Sequence, residues 1–168
     1  MGTNASLLRD TRLVLDALRH VVRVLRVAAR GVEQHHGISG AQLFVLHQLA
    51  DGSTRTIGEL AAKTFTHQSS VSAVVTRLAA AGLVRRAHGR GDARRTEVVL
   101  TAAGNTVLRR TPEPVQSGLI AAVQTLSAAD RRALVRGLAA LVQRLGVHSD
   151  SPQLFFEDES GRPGQGVS

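Results

Sequence analysis

The sequence predicts a mainly α-helical protein with one small β-hairpin. Apolar residues recur at helical spacing along most of the 168 residues, and strand-like apolar residues flank a loop at residues 87–96. That loop contains Gly89, Gly91 and Asp92, which are turn-forming residues. The chain is long enough for one compact domain with a core, or for two small ones that share helices. It has no cysteine, which excludes disulfides, thiolate metal sites and a cysteine-based redox switch.

The first third of the chain is predicted to form two helices. An apolar stripe over residues 7–34 indicates one long helix that ends at the junction of His35, His36 and Gly37. Ser39 is in the N-cap position of a second helix, from about residue 40 to residue 50.

Two short amphipathic helices follow. Thr56 and Glu59 form a capping-box pattern at the start of the first, which extends to Lys63. A break of a few residues precedes the second helix, and Gly82 supplies its C-terminal stop. This order is typical of a helix-turn-helix.

The second of these helices has a packed face and a polar face. Its apolar side carries Val71, Val74, Val75, Leu78 and Ala79, while Gln68, Ser69, Ser72, Thr76 and Arg77 fall elsewhere. Small hydroxyl and amide side chains allow close approach to base edges in a major groove. A solvated surface is the alternative interpretation of such a face, and the neighbouring elements favour the groove.

The β-hairpin after this helix is strongly basic at its tip. Five arginines lie within eleven residues: Arg85, Arg86, Arg90, Arg94 and Arg95. Residues 55–110 contain ten basic and three acidic residues, so they carry +7 of the net charge of +8. A localised positive charge beside a polar helix predicts contact with double-stranded DNA through phosphates or the minor groove. The combined pattern is a helix-turn-helix with a basic wing.

Helices are predicted again after the hairpin. Thr101 caps one that runs to Arg110, and Pro112 and Pro114 interrupt it before it resumes. A final helix over residues 128–145 carries leucines at helix-packing spacing. The terminal helices have more apolar surface than a small winged core can cover. They pack either within one chain or in a dimer of interleaved terminal helices, and the dimer is favoured because it supplies a second DNA half-site.

The sequence resembles the MarR (multiple antibiotic resistance regulator) family of bacterial transcription factors. The family pattern is L-x-x-x-G-L-V-x-R after the recognition helix, D-x-R in the wing and then L-T-x-x-G. The matching residues here are Leu78, Gly82, Leu83, Val84, Arg86, Asp92, Arg94, Leu100, Thr101 and Gly104. The resemblance extends over roughly residues 7–145.

The resemblance implies a winged helix-turn-helix core flanked by N- and C-terminal dimerisation helices. Residues 37–111 would form the DNA-binding domain, and residues 1–36 and 112–148 the dimerisation region. The polar, acidic composition of residues 149–168, with Gly and Pro, separately predicts a flexible acidic tail. The implied DNA-contacting residues are Arg55, Gln68, Ser69, Ser70, Ser72, Thr76, Arg77, Arg86, Arg90, Asp92, Arg94 and Arg95. In this scheme Arg94 enters the minor groove, Asp92 holds Arg86 or Arg94 through a charge-assisted bond, and Arg55 is a further phosphate candidate.

The resemblance also implies a homodimeric repressor released from a pseudo-palindromic operator by a small molecule, such as a phenolic or aromatic acid. The polar residues nearest the apolar stripes of the first, second and fifth helices are His20, Arg23, His47 and Arg109, and Phe44 is one of few aromatic residues. These five are the expected ligand-binding residues. An ordinary surface or interhelical role is the alternative for each polar one.

Two alternatives keep the same fold. One is a metal-responsive regulator, suggested by Glu33, His35 and His36, but adjacent histidines lack the i, i+4 spacing of helical metal ligands, so no metal site is expected. The other is a nonspecific architectural DNA-binding protein that contacts phosphates alone.

Other classes of protein fit less well. No Gly-rich phosphate loop, paired carboxylates, G-x-S-x-G motif or cysteine nucleophile is present, so neither an enzyme nor a cofactor is expected. Arginines interrupt each apolar stretch before membrane-spanning length, and the N-terminus lacks the pattern of a signal peptide. The expected location is the cytoplasm.

Overall fold

A computed structural model describes residues 2–88 and 96–146. Helices dominate it, and its strands form one small antiparallel sheet, so the predicted fold class is confirmed. In chain order the elements are α1 (Gly2–His36), α2 (Gly40–His47), β1 (Arg55–Thr56), α3 (Ile57–Thr64), α4 (Gln68–Ala80), β2 (Val84–His88), β3 (Thr96–Leu100), α5 (Ala102–Arg110), α6 (Val115–Thr125) and α7 (Ala128–Arg144).

Side-chain caps begin four of the helices, and those at Ser39, Thr56 and Thr101 are at the positions that the sequence predicts. Ser39 and Thr56 each form a complete capping box, at the starts of α2 and α3. Thr101 caps α5 and Ser127 caps α7 by accepting a backbone N–H in the first turn. Each cap satisfies a helix N–H that has no partner within the helix, which fixes where the helix begins.

The sheet has the strand order β1-β3-β2, with both pairs antiparallel. Val98 in the central strand pairs with Arg55 on one side and with Arg86 on the other. Strand β1 was not predicted, because two residues are too few to show an alternating pattern. The arrangement leaves β2 as an edge strand beside α4.

The hydrophobic core lies mainly within the part of the chain from α2 to α5, which we call the winged part. Its fully buried side chains come from α2 and the turn after it, from α3 and α4, and from the sheet. The largest are Leu43, Val45, Leu46, Leu49, Leu60, Val71, Val74, Val75, Leu78 and Val98. Burial of such side chains is the main stabilising contribution to the fold. It holds α4 firmly against the helices that precede it.

The flanking helices α1 and α7 leave most of their apolar side chains uncovered. Leu25 and Val32 are the buried residues of α1. None of the α7 side chains is buried. Its large exposed apolar residues are Leu134, Val135, Leu138, Leu141 and Val142. A search of the described ranges found no helix with the length and hydropathy needed to cross a membrane.

Candidate nucleic-acid interface

Helix α4 has one face buried in the core and one face open. Val71, Val74 and Leu78 have no exposed surface and hold the helix against α2 and α3. The exposed or half-exposed polar residues of α4 are Gln68, Ser69, Ser72, Thr76 and Arg77. The predicted division of α4 into a packed face and a polar face is therefore present.

Ser70 is an exception to the predicted polar face. Its side chain is 6% exposed, because position 70 lies one helical turn before Val74 and so falls on the packed side. The prediction that Ser70 faces the major groove is wrong.

Arg55 lies in the turn between α2 and α3, where it binds the protein itself. Its Nε donates to the backbone oxygen of Gln48 at 2.8 Å, and its terminal nitrogens bind the Ser53 hydroxyl and the Asp51 carboxylate. Hydrogen bonds from Ser53, together with the charge of Arg55, lower the pKa of Asp51. The Arg55 side chain is only 13% exposed. Three of its five N–H donors therefore close this turn, and the phosphate contact of Arg55 stays a prediction.

Arg86 connects the wing to α4. Its Nη2 donates to Thr76 Oγ1 at 2.9 Å, and the Thr76 hydroxyl lies 2.8 Å from the backbone oxygen of Ser72. Strand alternation places Arg86 on the same face of β2 as the buried Val84, and Arg85 on the opposite face. The contact with Thr76 was not predicted, because strand alternation gives the face on which Arg86 lies but not the position of β2 relative to α4.

Four predicted contact residues belong to the loop between β2 and β3. They are Arg90, Asp92, Arg94 and Arg95, and all lie outside the described residues. Their roles, including the bond from Asp92 to a wing arginine, stay predictions.

Residues 36–95 match the sequence model of the MarR family. The matched range runs from the end of α1 through the helix-turn-helix to the loop after β2. It therefore includes the polar face of α4 and the arginines of β2. The described part of the chain has a winged helix-turn-helix fold. MarR family proteins are transcriptional regulators, and the described part of this chain has the fold of such a regulator. A comparison with curated protein sequences found no match.

Solved structures share the fold along most of the chain. The transcriptional regulator BldR from Sulfolobus solfataricus is 22% identical, with a TM-score of 0.54 over 80% of this chain and 96% of BldR. S. aureus MepR in its DNA complex is 20% identical, with a TM-score of 0.51 over 79% of this chain and 96% of MepR. Bordetella bronchiseptica BpsR, whose DNA binding is regulated by 6-hydroxynicotinic acid, is 22% identical, with a TM-score of 0.54 over 81% of this chain and 94% of BpsR. At these identities the likeness shows the fold.

Thr101 and Gly104, two residues of the L-T-x-x-G pattern, hold the start of α5 against the chain just after α4. The Thr101 hydroxyl lies 2.7 Å from the Gly82 oxygen and 3.0 Å from the Leu83 oxygen. A Cβ at position 104 would lie 2.1 Å from the Leu83 oxygen, so only glycine permits this approach. Gly82 itself has a φ of +70°, which favours glycine for a different reason. These contacts fix the direction in which the chain enters the wing.

The five residues predicted to bind an effector are not gathered in one place. His20 and Arg23 are exposed on α1, and Arg109 is exposed on α5. Phe44 is a core residue of α2 that is 2% exposed. His47, at the end of α2, is half-buried. These five side chains lie at different depths on three helices, and their role in effector binding stays a prediction.

Three cavities adjoin α1, α2 and α6 instead. One of ≈ 380 Å³ lies between α1, the start of α2 and the segment 112–116, and the side chain of Gln116 in its wall is 4% exposed. A second, of ≈ 540 Å³ between α1 and α6, includes His20 in its wall. A third, of ≈ 510 Å³ between α2, α3 and α6, includes Phe44. Gln116 was missed because its position after Pro114 gives no amphipathic signal.

His47 lies where the winged part meets the segment that leads to α6. Burial lowers the pKa of its imidazole, while the charge of Glu113 and a backbone hydrogen bond at Pro112 partly oppose that shift. Its Nε2 is buried and has no hydrogen-bond partner among the residues that the structure describes. The neutral ring is therefore the form that this environment favours.

The histidines at the end of α1 do not form a metal cluster with other residues of the described chain. No group of three His, Cys, Asp or Glu side chains in residues 2–88 and 96–146 is arranged to hold a metal ion. His35 Nδ1 instead lies 2.8 Å from the Gly31 backbone oxygen of its own helix.

Proposed function

We propose that this protein is a regulator of the MarR family, a homodimeric, sequence-specific repressor that acts in the cytoplasm and leaves its operator when a small molecule binds. Residues 37–111 are the DNA-binding domain in this proposal, and residues 1–36 and 112–148 are the dimerisation region. The observation that carries it is the exposed polar face of α4, which is rigidly packed from behind and bordered on one side by the arginines of β2.

DNA recognition is assigned to α4 and the wing. Gln68, Ser69 and Ser72 are the proposed groove-facing residues, since their short polar side chains lie on the open part of the helix. Arg77 and Arg85 supply positive charge beside them for phosphate contact. The wing-loop residues Arg90, Asp92, Arg94 and Arg95 complete the proposed interface, with Arg94 in the minor groove.

Dimerisation is assigned to the uncovered faces of α1 and α7. Leu134, Leu138 and Leu141 are spaced so that they lie on one side of α7, and each is at least 36% exposed in the single chain. Exposed apolar faces of this extent mark interaction surfaces. A second copy of the chain would cover them and would place two recognition helices about one turn of DNA apart.

Effector control is assigned to the ≈ 380 Å³ cavity between α1, α2 and residues 112–116. Its apolar wall includes Val32 and Leu43, and the amide of Gln116 adds a donor and an acceptor. This combination suits a small planar acid with polar substituents. The regulation of BpsR by 6-hydroxynicotinic acid, a compound of that class, supports the same assignment here. An occupant would lie between the dimerisation helices and the DNA-binding domain, where it could change the separation of the recognition helices.

Footprinting on the DNA upstream of the protein's own gene tests the proposal. The expected result is protection of a two-fold symmetric site, with an affinity that exceeds that for random-sequence duplex at the same salt concentration by roughly 10³-fold or more. A panel of hydroxylated aromatic acids is then expected to contain a compound that releases the site. Equal affinity for random duplexes would instead indicate a nonspecific architectural protein.

A further inference from the structure

Thr76 has hydrogen bonds of a fixed direction on the open face of α4. A threonine hydroxyl has one proton to donate and two lone pairs to accept with. The arginine can only donate, so Thr76 Oγ1 accepts from Arg86 at 2.9 Å. The backbone oxygen of Ser72 can only accept, so the single hydroxyl proton of Thr76 goes to it at 2.8 Å. In this arrangement Thr76 has no proton left to donate to a base.

Arg86 gains a defined position from the same bonds. An arginine side chain on an exposed edge strand samples many rotamers, and ordering it costs conformational entropy. The bond to Thr76 spans ten residues of sequence and holds the guanidinium over the middle of α4. A guanidinium has five N–H donors, so the bond to Thr76 leaves it further N–H groups with which to bind an anion.

We propose that Thr76 is a positioning residue that holds Arg86 against a DNA phosphate. This phosphate lies on the DNA backbone between the major groove, which α4 enters, and the minor groove, which the wing enters. The inference rests on the proposed function, and it replaces the predicted role of Thr76 as a base contact. Recognition helix and wing thereby bind the backbone as one unit. Arg86 contacts the DNA, and Thr76 acts through it.

The test measures binding of the full-length protein to a fluorescent random-sequence duplex over a range of salt concentrations. A random sequence is sufficient because a phosphate contact does not depend on base identity. R86A is expected to weaken binding about tenfold and to reduce the slope of log affinity against log salt by about 1. T76V, which keeps the shape of the side chain but removes the hydroxyl, is expected to weaken binding roughly threefold. T76S restores the hydroxyl and is expected to bind like the wild type.

Double substitutions separate this role from a general effect on the helix. T76V is expected to add nothing to R86A, because the two residues act through one contact. R85A is the matched control, since Arg85 carries the same charge on the opposite face of the strand. The effects of R85A and T76V are expected to add. Additivity of T76V with R86A, or binding by T76S as weak as that by T76V, would overturn the proposal.

Amide hydrogen exchange of the DNA-free protein tests the bond between Thr76 and Arg86 without relying on the proposed function. Loss of the bond in T76V or R86A is expected to speed exchange in β2 to the same extent, and T76S is expected to leave it unchanged. Unchanged exchange in T76V would show that Thr76 does not hold the wing. If the wild type bound neither its upstream DNA nor the random duplex, the proposed function would fail, and the exchange result would still decide whether Thr76 holds Arg86.

Discussion

Leu78 on α4 and Leu138 on α7 are the same residue type, and each lies on the apolar face of an amphipathic helix. Leu78 has no exposed surface, whereas Leu138 is 43% exposed. The winged part covers its apolar faces with its own chain, and the flanking helices do not. An apolar stripe therefore predicts that a helix face will be covered, but it does not identify what covers it. If the flanking helices are covered by a second copy, substitutions in the two regions should respond differently to protein concentration.

The largest expected effect is that of Leu78→Ala in the winged part. Truncation of a fully buried leucine leaves a cavity, and we expect it to lower the free energy of unfolding by about 2–5 kcal/mol. Urea denaturation followed by circular dichroism measures this change. Because α4 is packed within one chain, the loss should be the same at each protein concentration. A loss that varied with concentration would show that the partner chain also stabilises the winged core.

Gly104→Ala tests the point where the chain leaves the winged part. The new Cβ would meet the Leu83 backbone oxygen, which cannot move without shifting the entry to β2. We expect destabilisation by about 1–3 kcal/mol in the same urea experiment. Gly118→Ala on α6 is the matched control, because its Cβ would meet nothing within 4 Å. That control should gain up to about 1 kcal/mol from helix propensity. Equal effects of the two substitutions would show that the approach of α5 to Leu83 is not needed.

Local signals in the sequence predicted most of the elements. The caps at Ser39, Thr56 and Thr101 marked helix starts correctly, because a cap depends on residues within one turn. Prediction was weaker where the outcome depends on residues distant in sequence. Arg55 was assigned to phosphate because its charge is visible in the sequence, whereas its bond to the Gln48 backbone appears only in the folded turn.

The candidate interface shows the same division. Helical spacing identified the packed face of α4, and the same spacing places Ser70 on that packed face, one turn before Val74. The bond between Arg86 and Thr76 required the relative position of a strand and a helix, which the sequence pattern does not contain. An effector site is difficult to predict for the same reason, since cavities form between elements that are far apart in the chain.

Leu138→Ala provides the counterpart to Leu78→Ala in the flanking region. If α7 forms part of the dimer interface, removal of this side chain is expected to raise the dissociation constant of the dimer roughly 10- to 100-fold. This corresponds to a loss of about 1.4–2.8 kcal/mol in the free energy of association. Sedimentation equilibrium measures that constant directly. Arg136→Ala, an exposed α7 residue on another side of the helix, is the control and should leave it nearly unchanged. A wild type that is monomeric at all concentrations would contradict the proposed dimer.

The smallest expected effect is the pH dependence of stability that His47 contributes. His47 lies at the junction between the winged part and the flanking helices. Burial lowers the pKa of its imidazole in the folded protein, while the unfolded chain has the ordinary value near 6.5. Below that pH the unfolded chain binds a proton that the folded protein does not, so stability is complete above about pH 6.5 and falls as the pH decreases toward the folded pKa. The slope cannot exceed the one-proton limit of about 1.4 kcal/mol per pH unit, and partial solvent access reduces it further. Urea denaturation of the wild type and of His47→Gln between pH 5 and pH 8, roughly the range in which histidine titrates, measures the difference. If both proteins lost stability equally on acidification, the pH dependence would belong to another group, and the junction would not sense protons through His47.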